Sequence, residues 1–191
     1  MATSSEYRSG LRGAIRGFWN GVLSYDDFYE MMIEVVRIGL TNAWNEGMKI
    51  FGLKLEDMSG EEKIALQHVI STEYNYIDGL ATAIEQNKES GGQMESVMSR
   101  ADLWVQRWTE TMNLSQTMAG ADQPMEWVMG PTQNHCSSCL KLNGKVKRGS
   151  TWLENGIMPQ SRDLECGGWK CQCGLYPTLK PLSRGSLPTL P

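Results

Sequence analysis

All five cysteines of this chain lie between residues 136 and 173, and the 135 residues before them contain none. They form two groups, "HCSSC" at 135–139 and "CGGWKCQC" at 166–173. The first residues of the chain lack the apolar core and cleavage pattern of a signal peptide, so we expect a reducing cytoplasm. Clustered cysteines in that compartment bind metal or carry out redox chemistry more often than they form disulfides.

The spacing of these thiols favours a structural zinc site. The first pair forms a C-x2-C motif, which lets two thiolates of one tight turn bind the same ion. Tetrahedral zinc needs four ligands, and His135 lies beside the first cysteine. We therefore expect one structural zinc ion per chain, and the sequence leaves open whether Cys171, Cys173 or His135 completes its ligand set. The candidate ligands are Cys136, Cys139, Cys166, Cys171 and Cys173.

Two other interpretations of the cysteines remain open, a module held by disulfides and a redox or nucleophilic site. A thioredoxin-like dithiol would be accompanied by a βαβ pattern, which this sequence lacks. A cysteine nucleophile needs a neighbouring base. The histidines are His68, in a predicted helix, and His135, next to a candidate ligand. Because an all-cysteine zinc site is closed, we expect no enzymatic activity and no small-molecule substrate.

The hydrophobic periodicity predicts a mainly α-helical, α+β protein. Residues 1–122 form a helical body of about four helices, with capping signals at Ser24 and at Ser59 followed by Glu62. Methionine and tryptophan recur on the apolar faces of these helices, as core residues or as part of an adaptable binding groove. No apolar run is long enough to span a membrane. The predicted helices cover residues 5–20, 25–51, 60–88 and 93–119.

The pattern changes after Pro124. Residues 125–129, "MEWVM", predict a β-strand, and Asn143-Gly144 predicts the turn of a β-hairpin. Residues 123–176 therefore form a small cysteine-rich, zinc-knuckle-like module. Residues 177–191 contain four of the seven prolines and predict an extended or disordered arm that contributes nothing to a core.

Charge is distributed unevenly along the chain. Residues 135–191 carry eight Lys or Arg and three acids, a net charge of +5, whereas the whole chain has a net charge of -4. Such an asymmetry indicates contact with nucleic acid or an acidic partner, although a solvated surface accounts for it equally well. The candidate contact residues are Lys141, Lys145, Lys147 and Arg148.

The order of these features resembles the C-terminal part of the phage Mu F-like head morphogenesis proteins, also called minor head or minor capsid proteins. A helix with "SRADLWVQRWTETMNLSQTMAG" precedes "MEWVM", and then come "HCSSCLKLNGKV", "GIMP" and "CQCGLYP". The resemblance covers roughly residues 93–177. The matching positions are Trp127, Cys136, Cys139, Leu142, Gly144, Gly156, Pro159, Cys171 and Cys173.

The chain departs from that family in one place. Many relatives have His-Pro shortly before the final C-x-C, where this chain has "LECGGWK", and Cys166 would take the histidine's ligand role. The resemblance implies a structural component of the virion that is assembled in the host cytoplasm and associates with portal or major capsid protein, and with DNA in some relatives. The alternative from the residues alone is a zinc-knuckle nucleic-acid-binding protein.

Overall fold

The structure, a computed structural model, describes residues 3–169 and 171–190. The chain forms two compact units, each built from two segments. The N-terminal unit comprises Met1–Ala43 and Met58–Thr109, and the cysteine unit comprises Trp44–Asp57 and Glu110–Pro191. This division differs from the predicted boundary between residues 122 and 123, because the second half of a long helix packs with the cysteine-rich segment.

The protein is mainly helical with one small antiparallel sheet, which confirms the predicted α+β class. Within the described part of the chain, no helix combines the length and apolar character needed to cross a bilayer. The helices are α1 (Ser4–Trp19), α2 (Tyr25–Lys49), α3 (Gly60–Tyr74), α4 (Ile77–Glu89), α5 (Met94–Met98), α6 (Ala101–Ala119), α7 (Ser137–Leu142) and α8 (Gly149–Glu154), with a 3-10 helix at Leu55–Asp57.

Two helices that the sequence predicts as continuous are each divided. The predicted helix 60–88 is interrupted between α3 and α4 at Asn75 and Tyr76, residue types that favour helices only weakly. The predicted helix 93–119 is interrupted between α5 and α6. There the Ser99 hydroxyl donates to the Ser96 carbonyl at 2.8 Å, a local bond that competes with helix continuation.

The N-terminal unit is held by an apolar core and one largely buried ion pair. Leu11, Ile15 and Phe28 are fully buried in that core. Arg107 Nε lies 2.9 Å from Glu73 Oε1, whose side chain is almost entirely buried. Because a buried carboxylate needs such a partner, we expect this pair to fix the packing of α6 on α3 within the unit.

The sheet of the cysteine unit has three strands, β1 (Pro124–Val128), β2 (Val146–Arg148) and β3 (Gly174–Pro177). The strand order is β2-β1-β3, and all pairs are antiparallel. Its central strand β1 confirms the predicted strand at 125–129. Met125 and Trp127 on β1 point into the core, and Trp127 packs against Trp152 with ring centroids 5.7 Å apart.

The predicted turn at Asn143-Gly144 is present, but the prediction of a β-hairpin around this turn was wrong. Helix α7 precedes the turn, and β2 after it pairs with β1. The helix forms because Cys136 caps it and Leu142 buries its side chain. Gly144 has a φ of 75° and donates its N–H to the Trp127 carbonyl at 2.8 Å, so the turn docks on β1.

The C-terminal arm is extended, which is one of the two forms predicted for it. The arm also contributes to the core. Ser183 N–H donates to the Val146 carbonyl at 2.9 Å, and Val146 N–H donates to the Ser183 hydroxyl at 3.0 Å. Leu187 and Leu190 pack against the apolar cluster of the cysteine unit. The expectation that this arm adds nothing to a core was therefore wrong, because proline excludes helix but leaves apolar side chains free to pack.

The arm offers a matched pair of leucines for testing this contact. Leu187→Ala removes a half-buried side chain and should lower the free energy of unfolding by about 1 kcal/mol. Leu179→Ala removes a fully exposed one and should change it by less than about 0.5 kcal/mol. Denaturant titration of both variants measures the difference, and equal stabilities would show that the arm does not pack.

Candidate metal centre

The first two thiols are placed by the start of helix α7. Cys136 is the N-cap of this helix, and Cys139 N–H donates to Cys136 Sγ at 3.4 Å. Cys139 is buried in the apolar cluster that also contains Trp127 and Leu142. The C-x2-C segment is thus a helix cap, and the cap geometry directs both sulfurs to the same side of the turn.

The other three thiols lie on the segment that leads into β3. Cys173 immediately precedes β3 and is buried, while Cys166 and Cys171 are partly exposed. β3 pairs with β1, and α7 follows β1 after a short loop. Because both segments lead to or from the same end of β1, thiols that are about 30 residues apart meet.

All five cysteines line one pocket, together with Thr132, Asn134, His135, Trp169 and Gln172. The pocket has a volume of about 50 Å³. Pockets for small organic ligands have volumes of roughly 300–1,000 Å³. This one suits ions and water, and it is too small for an organic substrate of ordinary size.

The sulfurs are close enough to share a metal ion. Two groups of three have all their sulfurs within 4.8 Å of one another. The first triad is Cys136, Cys139 and Cys166, and the second triad is Cys139, Cys171 and Cys173. Cys139 Sγ lies 3.8 Å from Cys171 Sγ. Zinc–sulfur bonds of about 2.3 Å in a tetrahedron place neighbouring sulfurs about 3.8 Å apart, whereas a disulfide would hold them at about 2.05 Å.

The thiols differ in how readily they ionise. Burial opposes ionisation of Cys136, but the backbone N–H groups of Cys139 and Cys166 outweigh it and lower its pKa. A hydrogen bond from the Cys171 thiol lowers the pKa of Cys173. Burial raises the pKa of Cys166 to about 11 and also raises that of Cys139. The hydrogen bond to Cys173, with burial, raises the pKa of Cys171. Metal binding at neutral pH must therefore displace protons.

Polar side chains fix the two thiol-bearing segments to each other. Ser137 N–H donates to Glu165 Oε2 at 2.6 Å, and Glu165 N–H donates to the Ser138 hydroxyl at 3.0 Å. The Gln160 side-chain amide donates to the Cys171 carbonyl at 2.9 Å. Sequence reasoning missed these residues. The sequence signal that could have indicated Ser137, Ser138 and Glu165 is their position next to cysteines.

His135 lies at the edge of the pocket and belongs to neither triad. Its Nδ1 is 3.2 Å from the Thr132 hydroxyl, an arrangement that leaves Nε2 as the ring nitrogen available to a ligand. His68 lies in α3 of the N-terminal unit, where its carbonyl accepts bonds from Ser71 and Thr72.

Three of the four basic candidates donate hydrogen bonds to backbone carbonyls. The Lys147 ammonium donates to the Ser183 carbonyl at 2.8 Å and also to that of Gly185. The Arg148 guanidinium donates to the Asp122 carbonyl at 2.5 Å, and the Lys141 ammonium to the Thr189 carbonyl at 3.4 Å. These three groups bind backbone oxygens within the cysteine unit, and Lys145 is exposed.

Comparisons of the chain with models of protein families, with curated proteins and with solved structures give no match.

Gly130 provides a test of how closely the two thiol-bearing segments must approach. A Cβ atom at this position would collide with the backbone carbonyl of Gln172. Gly130→Ala should therefore displace the segment around Cys171. It should lower the free energy of unfolding by about 1–3 kcal/mol. Equilibrium denaturation monitored by tryptophan fluorescence measures this.

Gly79→Ala is the matched control, because Gly79 is exposed in α4 and an added Cβ meets no neighbouring atom within 4 Å. It should leave the protein unchanged or stabilise it by up to about 1 kcal/mol. If both variants are equally stable, the close approach at Gly130 does not constrain the site.

Proposed function

We propose that this chain is a structural protein of phage head assembly whose cysteine unit is folded around thiolate-bound zinc. The observation that carries the proposal is the convergence of five free thiols in one pocket, with Cys139 and Cys171 at the sulfur–sulfur spacing of a zinc thiolate. Zinc fits because soft thiolates select such ions, and a site made of cysteines is typical of structural zinc.

A structural role also fits the way the unit is built. Its apolar cluster contains two of the thiols, Cys139 and Cys173, so the site is part of the core. The sheet has only three short strands, and small folds with little core gain their stability from staples such as metals. The small pocket volume likewise favours an ion that holds the fold over an ion that acts on a substrate.

The phage assignment is supported by the resemblance and by where its residues lie. Trp127 and Leu142 are fully buried in the cysteine unit, and Gly144 docks the turn on β1. Cys136, Cys139, Cys171 and Cys173 line the pocket. The nine matching positions therefore lie in one structural unit, while the helix that precedes them in the resemblance has its first residues in the N-terminal unit.

The nucleic-acid alternative depends on the basic residues. Phosphate binding needs cationic groups that can replace counterions. Lys141, Lys147 and Arg148 donate hydrogen bonds to backbone carbonyls of their own unit, and these bonds orient the side chains but leave their charges in place. We place the assembly role first because of the resemblance, which implies the portal or major capsid protein as partners and the virion as the place of action.

Removal of the metal tests the structural part of the proposal. A strong chelator should unfold the cysteine unit, because the thiols take up protons when the ion is removed and the staple is lost. Trp127 and Trp152 report this as a loss of near-ultraviolet circular dichroism, which added zinc should restore. Zinc-saturated chelator is the control. The zinc site is contradicted if the chelator leaves the spectrum unchanged and the mass of the protein shows the loss of hydrogen that accompanies disulfide formation.

Incorporation into particles tests the assembly part. In the phage that encodes this chain, quantitative mass spectrometry of purified particles should detect the wild-type protein. The double variant Cys136→Ser, Cys139→Ser should reduce its amount at least tenfold, because the unit no longer folds. Lys63→Ala, an exposed change in the N-terminal unit, is the control and should be incorporated normally. Absence of the wild-type chain from particles would overturn the assignment.

A further inference from the structure

The five thiols are arranged as two triads that share one sulfur. The shared sulfur is Cys139 Sγ, with Cys136 and Cys166 on one side and Cys171 and Cys173 on the other. Four ligands of a single tetrahedral zinc would all have to lie about 3.8 Å from one another. Among the residues that the structure describes, the groups whose sulfurs lie within 4.8 Å of one another contain three thiols each.

Each triad by itself has the dimensions of a metal site. Three thiolates at about 2.3 Å from one ion lie about 3.8 Å apart in a tetrahedron and about 4.0 Å apart in a trigonal plane. Both values fall within the 4.8 Å limit that each triad meets. Each triad therefore has room for one ion, and the fourth position of a tetrahedron would be completed by water or by a group on the pocket wall such as His135.

Contacts within the pocket link the two triads at Cys139. The backbone N–H of Cys139 donates to Cys136 Sγ at 3.4 Å, and Cys139 Sγ lies 3.8 Å from Cys171 Sγ. Cys139 therefore contacts one sulfur of each triad.

A bridging thiolate uses two lone pairs to bind two ions, so its sulfur must lie close to both groups of ligands. Cys139 is the thiol that belongs to both triads. Cys139 is 2% exposed and lies between the other two pairs, the position that a bridging sulfur would occupy.

We propose that this pocket binds two thiophilic d10 cations, zinc in the cell, one in each triad, with Cys139 Sγ as the bridge. The inference rests on the proposed thiolate-bound zinc and adds a second ion to it. Two divalent cations also balance the charge of five thiolates to within one unit, whereas one cation among four thiolates leaves two negative charges in a largely buried site. Ions that share one sulfur are separated by at most about 4.6 Å, which a pocket of about 50 Å³ accommodates.

Metal stoichiometry of the full reduced chain tests this directly. Cadmium, a d10 cation that replaces zinc at thiolates, is titrated into metal-free protein and followed by native mass spectrometry. We expect saturation at two ions per chain and two cadmium-113 resonances in the range of sulfur-ligated metal. Saturation at one ion would overturn the second site and leave the proposed zinc function standing. Binding of no ion would overturn both.

Two variants identify the bridge. Cys139→Ser removes a ligand from both ions and should reduce saturation to one ion or none. Cys173→Ser removes a ligand from the second triad only, so one ion should bind as in the wild type and the other at least tenfold more weakly. If Cys139→Ser still binds two ions with wild-type affinity, Cys139 is not the bridge. The wild-type stoichiometry remains decisive if either variant fails to fold.

Discussion

The cysteine unit depends on the pairing of β1 with a strand at each of its edges. β1 is the central strand, and the segments that carry the thiols begin or end beside it. If β3 did not pair with β1, Cys171 and Cys173 would have no reason to lie near α7. Trp127 on the same strand packs on Trp152, and Trp152 donates its indole N–H to the Met125 carbonyl at 3.2 Å. One short strand thus fixes both the core and the pocket.

The thiol pocket and this core stabilise each other. Cys139 and Cys173 belong to the apolar cluster, so an ion bound to them is fixed directly to the packed interior. The bonds between Glu165 and the first residues of α7 join the two cysteine segments directly. They restrict how far the thiols can separate within the folded unit, which favours ion binding.

Much of the site could be predicted from sequence because cysteine spacing is a local and specific signal. The four long helical segments and β1 were also predictable from periodicity, but the breaks within two of these segments and the short helices α7 and α8 were not. The hairpin was not, because Asn143-Gly144 is a strong turn signal whichever element precedes it, and the cap at Cys136 selected a helix. The contacts of Gln160 and Leu187 depend on residues distant in sequence, which no local pattern reports.

The discontinuity of the cysteine unit has a consequence for how the chain folds during synthesis. Its first segment ends at Asp57, and its second begins only at Glu110, so more than 50 residues must be made before the two can meet. The N-terminal unit can therefore fold before the cysteine unit, which must wait until its second segment, including β3, has been made. Until then its thiols are exposed to the cell's metal and redox chemistry in an unfolded segment.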